Sequence, residues 1–185
     1  MSDTFNRSGT PSGRKRPAHI DVKPTKKAKA ELRRQGATSA RLFRVMLRTA
    51  PLAERVRIER DGVPYIIVRS LIENIGVSSS EFQAYVGIPK ATFTKKMKDK
   101  AAFAGTPGQS VVGLMDLINK VDDMLAAESD NEAARNFDVE KWVGEWIQRP
   151  QPALGGMAPA QLMDTPSGRA SVMRVLGAIQ SGAYQ

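Results

Sequence analysis

The chain has no cysteine and a single histidine, His19, among its 185 residues. Without thiols it forms neither disulfides nor thiolate metal sites, and a reducing compartment is compatible with it. A catalytic constellation needs a nucleophile beside a base, paired carboxylates in a cleft, or a set of metal ligands. One histidine near the N-terminus, and no glycine-rich loop following a strand, supply none of these. The expectation is a binding protein and not an enzyme, with no catalytic residue, no metal and no cofactor. Long apolar runs are missing too: nothing approaches the roughly 18 residues of a membrane span, and Met1-Ser-Asp-Thr-Phe-Asn lacks the apolar stretch of a secretion signal. A soluble, cytoplasmic protein with no membrane partner is expected.

Acidic residues are scarce at one end only. Residues 1–44 hold twelve Lys and Arg against Asp3, Asp21 and Glu31, and so carry the whole chain's net charge of +9. The remainder is electrically balanced. Residues 1–37 are rich in Pro, Gly, Ser and Lys and poor in large apolar side chains, so burial cannot offset the entropy of ordering them. A disordered basic tail is expected there. Arg14-Lys-Arg16, Lys26-Lys27 with Lys29, and Arg33-Arg34 suit phosphate neutralisation, although a tail that only confers solubility has the same composition.

From Thr38 onward the pattern is helical, and the fold class is all-α. Thr38 is a candidate cap for a helix with Leu42, Val45, Met46 and Leu47, ended by Pro51. Residues 52–60 and the Tyr65-Ile-Ile-Val68 run can each be read as helix or strand, and a short helix is favoured for the first. For the second, Ile66, Ile67, Leu71 and Ile75 followed by Gly76 favour helix. Thr106 to about Glu128 is the longest helix, apolar on more than one face and so central to the core, with Asp116, Asp122 and Asp123 expected on its outer side. After a polar break, Asp138 caps a helix carrying Trp142 and Trp146 four residues apart.

Two stretches carry function. In the first, Ser78 and Glu81 form a capping box, Phe82 and Val86 share one face, Gly87 permits a turn and Pro89 opens a second helix. Phe93 and Met97 continue the buried side, while Lys90, Thr92, Thr94, Lys95 and Lys96 are left outward. This is the sequence form of a helix-turn-helix that places a basic helix in a DNA groove; an ordinary helical hairpin with a solvated basic face has the same pattern. With no Arg, Asn or Gln, the second helix lacks the usual bidentate base readers. Candidate DNA contacts are Ser79, Lys90, Thr92, Thr94, Lys95, Lys96 and Lys98. The second stretch, Pro150-Gln-Pro-Ala-Leu-Gly-Gly156 followed by Met157-Ala-Pro-Ala-Gln-Leu-Met-Asp-Thr165, cannot continue a helix. It is either a plain connector or a shaped binding loop, anchored by Leu154, Leu162 and Met163 and held from below by the tryptophans. A short helix from Pro159 and a last one from Pro166 to about Gly182 should follow.

From Trp146-Ile-Gln-Arg-Pro-Gln-Pro-Ala-Leu-Gly-Gly156 through Leu162-Met-Asp-Thr165 to Gly182-Ala-Tyr184, the chain resembles the C-terminal toxin-binding domain of Xre-type antitoxins. It departs from that pattern at Gln151, often Asn, and at Met157, often polar. Gly87-Ile88, Thr92-Phe93 and Lys95-Lys96-Met97 are similar to the same family's helix-turn-helix, with lysines where the family has arginines and Gln83 where a small residue is preferred. The resemblance covers roughly residues 53–185. It implies an Xre-like helix-turn-helix domain over residues 38–128 and a toxin-binding domain over 129–185. The implied partners are a RES-domain toxin that consumes NAD, promoter DNA, and a second copy of the chain in the complex. NAD would then be the toxin's ligand, and the toxin's active site would be covered by Pro152, Leu154, Gly155, Gly156, Met157, Leu162, Arg174 and Tyr184. The alternative is a stand-alone helix-turn-helix regulator whose C-terminal domain only dimerises.

Overall fold

In a computed structural model, residues 39–127 and 136–180 are described. The expected tail, the Thr38 cap, the polar break after Glu128 and Tyr184 lie outside them. Eight α-helices are described. They are α1 (39–49), α2 (Leu52–Asp61), α3 (Tyr65–Ile75), α4 (Ser79–Tyr85), α5 (Lys90–Lys98), α6 (Thr106–Ala126), α7 (Val139–Trp146) and α8 (Pro166–Gln180). Two 3-10 turns, Pro152–Leu154 and Pro159–Leu162, separate α7 from α8. The all-α class holds, and both ambiguous segments are helices. For α3 the burial of Ile67, Val68, Leu71, Ile72 and Ile75 follows a helical period, and Gly76 closes it in the left-handed region at φ 70°. One antiparallel bridge, Val63 with Phe103, has no signature in the sequence; paired N–H···O bonds of 2.9 and 2.8 Å clip the chain before α3 to the chain before α6.

Helix α6 runs through the middle, against α2, α7 and α8, while α3 packs on α7 and α4 packs on both α5 and the second 3-10 turn. One hydrophobic cluster therefore extends from Ala40 to Leu176, across both segments expected to have separate roles. Its central members, Leu114, Met115, Leu117 and Ile118 of α6, are at most 1% exposed. An element buried on nearly all sides must be apolar nearly all round, which is what its sequence shows.

The structure assigns the inward face of α1, which the sequence left open, and corrects part of one expectation about α6. Helix α1 forms, but Leu42, Val45 and Met46 stand in solvent, while Ala40, Arg44 and Leu47 point inward. The reason is electrostatic. Arg44, 2% exposed, donates to Asn119 Oδ1 at 3.0 Å and pairs with Asp122 at 2.7 Å and Glu140 at 2.9 Å. Asn119 Nδ2 returns a bond to the Arg44 carbonyl at 3.1 Å. A buried guanidinium needs its charge and donors satisfied, and here α6 and α7 supply the acceptors, which fixes the rotation of α1. The same pairs correct the reading of Asp116 and Asp122 as an outer face, while Asp123, 55% exposed, keeps it. Asp122 faces α1 and pairs with Arg44, Asp123 pairs with Arg48 at the surface, and Asp116 faces α2, pairing with Arg55. Burial pushes the Asp116 carboxyl above its usual range despite Arg55, and the bond to Asp116 raises the Arg55 guanidinium.

Candidate functional site

The loop between α7 and α8 is closed on itself by its backbone. Gln151 is the knot: its N–H donates to Met157 O at 3.0 Å, and its carbonyl accepts from Leu154 N at 2.9 Å and Gly156 N at 3.1 Å. Gly155 N donates to Pro152 O, Ala160 N reaches back to Ile147 O at 2.8 Å, and Gln161 Oε1 accepts from Ala158 N at 3.0 Å. The Gln151 side chain donates to Arg149 O at 3.0 Å, so the departure from Asn is used locally. Gly155 and Gly156 take φ of 66° and 81° in succession, where a Cβ is disfavoured by backbone sterics even though open space surrounds both. The segment is thus a pre-shaped projection and not a slack connector.

Its anchors and its surface separate by burial. Leu154 is 7% and Met163 2% exposed, with Leu162 half-buried. Pro152, Gly155, Gly156 and Met157 are exposed, Met157 at 44%. Leu154, expected both to anchor the loop and to touch a partner, lies at the base of the loop with 7% of its surface exposed. Arg174 is exposed on α8 and donates to Ser171 Oγ at 2.9 Å. The tryptophans stack on each other, ring centroids 5.7 Å apart, and Trp142 also meets Phe137. What holds the loop is the last helix and α4, on which its two turns pack.

The helix-turn-helix is α4, Gly87 and α5. Ser78 caps α4 reciprocally with Glu81, through Glu81 N to Ser78 Oγ at 3.2 Å and Ser78 N to Glu81 Oε2 at 2.7 Å, and these bonds hold the Glu81 carboxyl below its usual range. Gly87 turns the chain at φ 63°. Ile88, 4% exposed, fills the corner, and Phe93 bridges Phe82 and Phe103 at 6.3 and 5.6 Å. Lys90, Ala91, Thr94, Lys95 and Lys98 line a shallow groove of about 700 Å³ on the outer side of α5, with Asp99 at its rim. Thr92 and Ser79 are exposed outside it. Lys96 is half-buried: its Nζ donates to Ala102 O at 2.8 Å and stands 5.8 Å from the Phe103 ring centre, so it staples α5 to the chain before α6.

The two sites touch, although they are far apart in the chain. A Cβ at Gly87 would lie 3.0 Å from Asp164 Cβ, so the DNA-type turn sits against the end of the loop. Arg169 of α8 crosses Gly113 of α6 and donates to Ser110 Oγ and Met163 O, both at 3.0 Å. Burial lowers the Arg169 guanidinium's pKa, an effect opposed by Asp164 and Asp116. The trace of this joint in the sequence is Ser110 and Gly113, small residues among the apolar side chains of α6. Among the described residues no group of metal-ligating side chains gathers, and no helix is long and apolar enough to cross a membrane.

Comparison with known proteins gives two matches to family models. Residues 54–103 match the antitoxin Xre-like helix-turn-helix domain, and residues 132–182 match the antitoxin Xre/MbcA/ParS C-terminal toxin-binding domain. The chain is 29% identical over 142 residues to a Prs ADP-ribosylating antitoxin of Sphingobium sp. (strain YBL2), covering 77% of this chain and 87% of that one. It is 22% identical over 125 residues to antitoxin Xre of Photorhabdus laumondii subsp. laumondii, covering 68% and 77%.

Proposed function

Because the chain belongs to the Xre/MbcA/ParS family of antitoxins, with a helix-turn-helix followed by a toxin-binding domain, we propose that it neutralises a RES-domain, NAD-consuming toxin by covering that enzyme's active site. The observation that carries this reading is the self-closed projection at residues 151–157. A surface already fixed by its own hydrogen bonds loses little entropy when it fills a concave site. The name of the Sphingobium relative couples an antitoxin with ADP-ribosylation, a reaction that draws its ADP-ribose from NAD and so fits a toxin of that class. NAD belongs to the toxin's site, and this chain acts as inhibitor.

The division of labour we propose follows the two matched segments. Residues 38–128 bind promoter DNA through Lys90, Thr94, Lys95 and Lys98, with Ser79 and Thr92 beside them, and the operon is thereby autoregulated. Residues 129–185 bind toxin through Pro152, Gly155, Gly156, Met157, Arg174 and Tyr184, with Leu154 and Leu162 beneath. Residues 1–37 add sequence-blind attraction to DNA. The reading takes the chain to be cytoplasmic, and its dimer contact to be the outer stripe of α1. Leu42, Val45 and Met46 recur there at helical spacing, 39–64% exposed, beside Leu52 at 78%. Leu42→Glu should then give a monomer by sedimentation.

The decisive experiment co-expresses the full chain with a RES-domain toxin and follows growth and the cellular NAD pool. Growth and NAD should be preserved by the native chain and lost with Gly155→Val/Gly156→Val at unchanged helix content. A native chain that neither binds nor protects would leave only a stand-alone DNA-binding regulator.

A further inference from the structure

The loop's outer face projects, but beside it lies a groove of about 300 Å³ between the loop and α8, lined by Ala153, Leu154, Ser171, Arg174, Val175 and Ala178. Its apolar members include Leu154 and Val175, each 7% exposed. Ala153, Ser171 and Ala178 are small, which leaves room above these two for a side chain from outside. The charge beside it is of one sign. Helix α8 carries Arg169 and Arg174 and no acidic residue. Arg169 turns inward to Ser110 and Met163, whereas Arg174 is exposed beside the groove and, among the described residues, pairs with no carboxylate. Its guanidinium is held by Ser171 Oγ at 2.9 Å, which restrains the fork while leaving donors for an incoming acceptor.

We propose that this groove is a receptor for an acidic, apolar segment of the toxin, whose apolar side chain rests on Leu154 and Val175 while its carboxylate pairs with Arg174. The inference rests on the antitoxin reading above and gives it a second half: the loop enters the toxin, and a toxin segment enters the groove beside the loop. A small apolar pocket flanked by one restrained guanidinium is the arrangement in which an interface concentrates its binding energy.

The test titrates the full chain against the purified RES-domain toxin that it is proposed to neutralise. Arg174→Glu is expected to weaken binding on the order of 100-fold, the usual consequence of truncating or reversing one partner of an interfacial charge pair. Arg174→Lys should lose less, since the charge remains and only the fork is removed. Ala178→Trp fills the groove without changing charge and should weaken binding to a similar extent as Arg174→Glu, with helix content and DNA affinity at native values. A toxin variant with one carboxylate changed to Arg should restore binding to Arg174→Glu and not to Ala178→Trp. Unchanged affinity of Arg174→Glu, an exposed position where folding is not at stake, overturns the proposal, as does unchanged affinity of a folded Ala178→Trp. If the groove variants keep full inhibition while Gly155→Val/Gly156→Val loses it, the groove fails and the antitoxin reading stands. If the native chain does not bind the toxin, both fail.

Discussion

Single residues here answer to burial more than to composition. Tyr85 is 5% exposed and its hydroxyl has no hydrogen-bond partner among the described residues. Burial, with the Glu81 charge added, pushes the phenol up to about 12 from its ordinary value near 10. A phenol raised on folding contributes stability that is intact below pH about 10 and lost as pH rises through about 12, because the unfolded chain ionises first. Tyr85→Phe should therefore flatten the alkaline limb of a stability-pH curve from denaturant melts. At neutral pH it should gain on the order of 1 kcal/mol by removing an unpaired buried hydroxyl. An alkaline limb that keeps its slope would place the titration elsewhere. Gly113 gives a second test. In an open helix Gly→Ala gains roughly 1 kcal/mol, but a Cβ here overlaps Arg169 Cδ, and Arg169 cannot yield without giving up Ser110 or Met163 O. Gly113→Ala should destabilise the native chain and stabilise the Arg169→Ala chain. The same sign in both backgrounds would mean that the two residues do not press on each other.

At the scale of elements, α5 separates charge left exposed to solvent from charge that holds the fold. Lys95→Glu/Lys98→Glu should weaken binding to a promoter fragment and lower the salt slope by roughly 0.9 for each phosphate no longer neutralised. Lys96→Met should leave that slope alone and lower stability, because its amine is committed to Ala102 O; a slope that falls with Lys96→Met would return it to the DNA face. The sequence alone does not separate the three lysines, since a one-dimensional pattern shows which side of a helix a residue takes but not which carbonyl lies within reach of a long side chain. Elements themselves are legible where one rule dominates: the capping box of α4, the glycine stop of α3 and the all-round apolarity of α6. The turn at Gly87 and the break from Pro150 to Gly156 are legible for the same reason. The inward face of α1 is not, because a buried arginine and three polar acceptors, 75, 78 and 96 residues away in the chain, outweigh Leu42, Val45 and Met46, and no local pattern encodes such a pairing. The joint between Gly87, Asp164 and Arg169 is hidden for the same reason, being made by groups distant in sequence.

At the scale of the whole molecule, charge and apolar surface are divided along the chain. One core joins the helix-turn-helix to the toxin-binding segment, so docking on the loop acts on a body that also carries α5. The net charge, by contrast, belongs to residues 1–44. Arg44 is committed to Asp122 and Glu140, which leaves the cations before it as the chain's excess for phosphate. On the proposed reading, attraction to DNA has two additive sources, a few fixed lysines on α5 and the cations of residues 2–37. The fixed lysines meet phosphates only in one docked orientation, so they alone can tie affinity to a particular site. Deleting residues 2–37 should lower the salt slope of binding to random duplex DNA by roughly 0.9 for each phosphate that the segment neutralised. It should also narrow the gap between specific and non-specific affinity less than Lys95→Glu/Lys98→Glu does, while toxin inhibition stays at its native level. Equal slopes for the full and shortened chains would assign the phosphate contacts to α5 and its neighbours alone.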